Sequence, residues 1–149
     1  MFLNTSIEIL FTGFEAALIA QIVKFLGYLI THQTINFKIL TTTGGMPSSH
    51  SAGTVALATA VGFICGFESV EFAIAMGYSI VVMYDAAGLR RAAGKTAACL
   101  NKIMEEFNEG KPLDPSTKLK ELLGHTPFEV FVGALLGIAI AYLNHYVLF

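Results

Sequence analysis

The chain has 149 residues, 54% hydrophobic and 13% charged, with a formal net charge of −2 and a mean hydropathy of +0.65. A water-soluble domain carries about a quarter charged residues, so the composition points to one integral membrane domain over residues 1–149 and excludes a disordered chain. A pI near 6.0 gives no basic footprint for nucleic acid. Two cysteines without a CxxC pair provide neither a disulfide scaffold nor a zinc site.

Four apolar stretches follow in chain order, approximately residues 7–30, 51–67, 72–89 and 128–149. They predict an all-α fold: a polytopic helical membrane bundle of about four transmembrane spans, with amphipathic cytoplasmic helices in residues 90–127. The first and last stretches reach the roughly 20 residues needed to cross the hydrocarbon core. The second, at about 25 Å, either crosses a thinned region or forms a hairpin with the third that stops short of the far side. No signal peptide is expected, because the N-terminus lacks a basic region and a cleavage site.

All nine basic residues fall on one side of this arrangement. Lys24 lies in the first span toward its second end, and Lys38 lies in the first connection. Arg90, Arg91, Lys95, Lys102, Lys111, Lys118 and Lys120 lie in the third. The positive-inside rule then puts both termini outside and both long connections in the cytoplasm. Cys65 and Cys99 fall on opposite sides and are not expected to pair.

In the third connection, Leu100, Ile103, Met104 and Phe107 follow amphipathic helical spacing. Gly110 and Pro112 end that helix. Asp114-Pro115 opens a second short helix with an apolar face of Leu119, Leu122 and Leu123, which Gly124 ends. Both are expected to lie along the membrane surface or to pack on the bundle.

Two polar segments precede hydrophobic spans on the cytoplasmic side: Gly44-Gly45-Met46-Pro47-Ser48-Ser49-His50-Ser51 and Gly124-His125-Thr126-Pro127-Phe128-Glu129. Each puts a histidine at a helix opening, where free N–H groups and the helix dipole favour an anion. Gly44 and Gly45 allow close backbone approach, and Ser48 and Ser49 add hydroxyl donors. Arg90, Arg91 and Lys95 leave the third span at the same depth, and Lys24, about 9 Å inside its helix end, is expected to snorkel toward that surface. Two histidines, four cations and two helix N-termini at one membrane face are expected to form a phosphate site.

Pro47-Ser48-Ser49-His50, followed by His125-Thr126-Pro127-Phe128-Glu129 and then Gly133 and Gly137, resembles the type 2 phosphatidic acid phosphatase and vanadium haloperoxidase superfamily. The closer likeness is to its small, divergent membrane branch, through residues 44–51, 84–95 and 122–127. The resemblance implies a nucleophilic role for His125, an orienting role for Glu129, leaving-group protonation by His50 and phosphate binding by Lys24. Ser49 stands where the superfamily has Gly, Glu129 where it has Asp, Thr31-His32 where it has Arg-Pro, and Leu119 where it has Arg. Two phosphate-binding arginines are therefore absent from their usual places, and Arg90, Arg91 and Lys95 are the expected replacements.

The implied chemistry has a physical basis. A neutral His125 attacks phosphorus to give a phosphohistidine, cations and N–H donors stabilise the equatorial oxygens, and His50 moves the proton. No metal-ligand set is apparent, and no cofactor is expected. The substrate expected at this depth is a lipid phosphate: phosphatidate, phosphatidylglycerophosphate or a prenyl diphosphate. Relatives usually have six spans, so a homodimer is one way to supply the missing packing.

Structural readings compete at each position. Thr126-Pro127-Phe128-Glu129 is also a capping box with Pro at the first helical position. Ser48 and Ser49 are ordinary cap residues, and His32 and His145 have no site context. His145 reads with Tyr142 and Tyr146 as an interfacial belt. Glu15, mid-span, reads as a protonated packing residue, and Asp85 as either a salt-bridge anchor or a site member. The stretch from Gly88 to Thr96 has five residues where a P-loop requires four, and is set aside. The rival functions are a non-catalytic anion- or lipid-binding or transport protein, with Glu15 on its pathway, and a vanadate-dependent oxidation site.

Overall fold

A computed structural model describes residues 6–37, 44–108, 118–119 and 124–148. Its helices are α1 (Ser6–His32), α2 (Ser49–Cys65), α3 (Val70–Ala87), α4 (Leu89–Phe107) and α5 (Pro127–Leu143), the last continuing into a π-helical turn, Asn144–Leu148. The four expected spans become α1, α2, α3 and α5, within about two residues at most ends. Among the described residues three helical stretches, Ser6–His32, Val70–Phe107 and Pro127–Val147, are long and apolar enough to cross a membrane, and α2 is a shorter apolar helix.

The side chains are distributed as lipid requires. The core is built from Ala16, Ala20, Ala52, Ala56 and Ala141 with Ile140, while Phe14, Ile74, Val81 and Phe131 face outward. Large apolar residues outside and small ones inside reverse the soluble pattern, because lipid solvates the former and small residues let backbones approach.

Helix α2 is central, packed on α1, α3 and α5. Glycines set its two closest crossings. A Cβ on Gly137 would clash with the Ala52 carbonyl, and one on Gly133 would lie 2.5 Å from the Ser48 carbonyl oxygen. On the other side Gly13 and Gly53 face each other, a Cβ on either lying within 3.2 Å of the other's carbonyl oxygen. Ser79, fully buried, donates from α3 to the Thr54 carbonyl at 2.8 Å, a helix-to-helix bond in a setting without water.

At the end formed by the start of α1 and the finish of α5, polar side chains pair with one another. Asn144 donates to Glu15 Oε2 at 2.5 Å and to Thr12 Oγ1 at 3.2 Å. His145 Nδ1 meets Glu8 Oε1 at 3.3 Å, and its ring stacks on Phe63 at 4.9 Å. Glu15 thus has the hydrogen-bonded packing role its sequence context suggested. His145 is a cross-helix pin as well as a neighbour of Tyr146.

Helix α4 starts immediately after Gly88, so the basic residues and the amphipathic segment form one helix. Its apolar stripe of Leu100, Ile103 and Phe107 is exposed and does not pack on the bundle. Such a stripe suits the membrane surface. The second connecting helix expected from Asp114-Pro115 lies outside the described residues. Leu119 is described: its N–H and C=O both bond the Asn101 side chain at 2.9 Å. Both cysteines are free.

Candidate active site

The two polar segments meet at the end of the bundle where α2 and α5 begin. Thr126 caps α5, with Pro127 at its first position, and the full capping box forms: Glu129 N–H donates to Thr126 Oγ1 at 3.3 Å and Thr126 N–H to Glu129 Oε2 at 3.1 Å. Ser48 caps α2, its Oγ accepting from Ser51 N–H at 3.4 Å and Ser51 Oγ at 3.0 Å. The two helix starts are tied together by Ser48 N–H donating to the Glu129 carbonyl at 3.1 Å, and His125 N–H donates to the Ala86 carbonyl at the end of α3, also at 3.1 Å. Gly124 lies against the Arg90–Arg91 backbone so closely that a Cβ there would clash. Thus α2, α3, α4 and α5 all fix the segment that carries His125.

His125 is 2% exposed. Its Nδ1 lies 3.1 Å from Glu129 Oε2. A carboxylate only accepts, so this bond places the ring proton on Nδ1 and leaves a lone pair on Nε2. Nε2 has no hydrogen-bond partner among the described residues. Burial lowers the His125 pKa from its ordinary value, as does the Lys24 charge, against the opposing pulls of Glu129 and of the Gly45 backbone. The His50 ring stands 6.4 Å away, edge-on at 66°.

Lys24 does not snorkel. It is 7% exposed, turned into the bundle with its methylenes under Gly45, where an added Cβ would meet Lys24 Cδ at 3.5 Å. The φ values of Gly44 (100°) and Gly45 (82°) are in the region that favours glycine, and they let the backbone cross over that side chain. The Lys24 charge acts on both histidines. Glu129 is the counter-charge that acts on it.

Arg90 and Asp85 also belong to these surroundings: their charges act on His50, and they form an ion pair with each other at 2.7 Å. Asp85 therefore serves as a salt-bridge anchor beside the site. Arg90, Arg91 and Lys95 are all exposed on α4. Ser49 is buried beside His50, while the hydroxyl of Ser48, 0% exposed, is engaged as a cap. The structure thus brings His125, Glu129 and His50 together, with Lys24 under Gly45 beside them and Arg90 paired with Asp85.

Sequence reading missed the backbone scaffolding: the Ala86 carbonyl, the Gly124 contact and the Asn101 clamp on Leu119. Only Asn101, a polar residue in an amphipathic helix, carried any signal.

Comparison with known proteins adds three findings. Residues 5–140 match the family model described as "Divergent PAP2 family". The chain is 40% identical over 139 residues, 87% of its length and 88% of the relative's, to an uncharacterized membrane protein, YuiD, of Bacillus subtilis (strain 168). No solved structure matches it.

Proposed function

The chain belongs to the divergent PAP2 family, and from that premise we propose that it is a metal-independent phosphatase acting on a membrane lipid phosphate. One observation carries the reading: a buried histidine whose Nδ1 is held by a carboxylate at 3.1 Å and whose Nε2 has no hydrogen-bond partner among the described residues, with 6.4 Å between its ring and a second histidine ring.

In the first step Nε2 of His125 attacks phosphorus and the P–O bond to the lipid breaks. His50 donates a proton to the leaving oxygen, releasing the lipid alcohol, or a phosphorylated lipid if the substrate is a diphosphate. In the second step His50 takes a proton from water as that water attacks the phosphohistidine. The P–N bond breaks, inorganic phosphate leaves, and both histidines return to their starting states. Lys24, Arg90 and Ser49 stabilise the equatorial oxygens, where pre-set charge is most effective. Arg90, held by Asp85, takes the part of the absent superfamily arginines in this reading, and its ion pair supports the choice. By the distribution of basic residues, the site faces the cytoplasm and both termini lie outside.

The non-catalytic transport reading loses support from Glu15, which is engaged by Asn144 beside Thr12 at the other end of α1. The test is phosphate release from a panel of lipid phosphates in detergent micelles with EDTA present. EDTA-resistant release by wild type, abolished in folded His125→Ala and lowered about 10²–10⁴-fold in His50→Ala, is the expected result. No release from any lipid by folded wild type would overturn it for that panel.

A further inference from the structure

A cavity of about 610 Å³ adjoins the site on the His50 side, between α1, α2 and α3. Ser49 and His50 lie at its polar end. Its walls are Leu10, Phe14 and Leu18 of α1, Thr54 and Leu57 of α2, and Tyr78 of α3. On α1 it reaches from Gln21 to Leu10, eleven residues or about 16 Å of helix. The walls become apolar away from His50, and Phe14, Leu18 and Tyr78 are exposed along the rim, so the cavity opens laterally where the lipid lies. Its size is within the roughly 300–1,000 Å³ of small-molecule sites.

We propose that this groove holds the hydrocarbon chain of the lipid phosphate whose headgroup lies at His50 and His125, and that Leu10 at its far end sets how much chain is accommodated. The inference rests on the phosphatase reading for the placement of the headgroup. Continuity carries it: His50 belongs both to the histidine pair and to the cavity wall, so a phosphate beside His50 has its ester oxygen facing the groove rather than open water. Between hydrocarbon and a protein groove there is no hydrophobic driving force, so the groove selects by shape and by its polar end. Thr54, one turn from His50, bonds the His50 carbonyl at 2.8 Å through its hydroxyl and presents a small side chain where the chain enters. Thr54 and Leu10 thereby become specificity-determining positions for chain shape and length.

The experiment uses full-length protein in phosphatidylcholine vesicles with a monoalkyl phosphate carrying a photoreactive diazirine at its chain tip. Adducts are mapped by mass spectrometry, and hydrolysis of lipid phosphate is measured alongside. The expected adducts fall on Leu57, Phe14 or Leu10, are suppressed by excess unlabelled monoalkyl phosphate and by inorganic phosphate, and are unaffected by additional phosphatidylcholine. Thr54→Phe should lower them on the order of tenfold by filling the groove mouth, whereas Thr54→Ser should retain them. Leu10→Trp, at an exposed position, should reduce tip adducts for long chains only. Adducts scattered over lipid-facing residues such as Ile74 and Phe131, insensitive to either phosphate competitor, would mean bulk bilayer contact and overturn the groove. If hydrolysis persists in that case, the phosphatase reading stands without it. Competed groove adducts without hydrolysis would support the groove and remove the phosphatase.

Discussion

One oxygen of Glu129 serves both the fold and His125: Oε2 accepts from the Thr126 backbone N–H and lies against His125 Nδ1, each at 3.1 Å. The capping and orienting roles, which compete as readings of the sequence, are made by the same atom.

Glu129→Gln separates them. Glutamine retains a capping box, so helix content and thermal stability should remain near wild type. The amide oxygen can take the place of Oε2 and accept from both groups, but it carries no charge, so the positive charge that develops on the His125 ring as Nε2 attacks loses its counter-charge. Phosphate release should therefore fall while the fold is kept, by roughly 10-fold or more. Unchanged turnover in Glu129→Gln would assign the residue to capping alone.

The pH dependence follows from His125. Burial first, then Lys24, lowers its pKa below 6.5 despite Glu129. The neutral nucleophile therefore persists at pH values where a free histidine is protonated, and the acidic limb of kcat/KM should lie below the ordinary histidine range. The unfolded chain binds this proton first, so stability is full above about pH 6.5 and falls as pH drops from there through the folded pKa. Lys24→Met removes one lowering charge and should move the acidic limb upward. A pH–rate series on wild type and variant reads both, and a limb that stays in place would separate Lys24 from the nucleophile.

The three basic residues at the start of α4 should not be equivalent. Arg90 acts on His50 and pairs with Asp85. Arg90→Ala is expected to weaken inorganic phosphate inhibition about tenfold or more, a charge-assisted contact being worth roughly 1.5–3 kcal/mol. Arg91→Ala and Lys95→Ala should change it less than twofold, as exposed charges do. Equal effects at all three positions would mean a diffuse electrostatic contribution instead.

Gly137 governs the α2–α5 crossing, because a Cβ there would clash with the Ala52 carbonyl. Gly137→Ala should cost about 1–3 kcal/mol through overpacking, measured as a lower melting temperature in detergent. It should also reduce turnover, because α2 and α5 carry His50 and Glu129. Gly27→Ala, where a Cβ meets nothing within 4 Å, is the control and should leave both unchanged.

The sequence by itself determined the membrane class, the apolar helices and the two histidine-bearing helix starts. These are legible because hydropathy, span length and caps are local properties: an apolar run of sufficient length, or a Thr-Pro-x-Glu opening, states its structure without knowing its neighbours. The tertiary structure decided what depends on the distance between segments. It turned Lys24 inward under Gly45, paired Arg90 with Asp85, and locked the His125 segment to Ala86 and to the Arg91 backbone through Gly124. At the other end it joined Glu15 to Asn144, 129 residues away. A one-dimensional pattern shows which residues are expensive to leave unpaired in a membrane; only the packing of helices onto one another determines which partner each one receives.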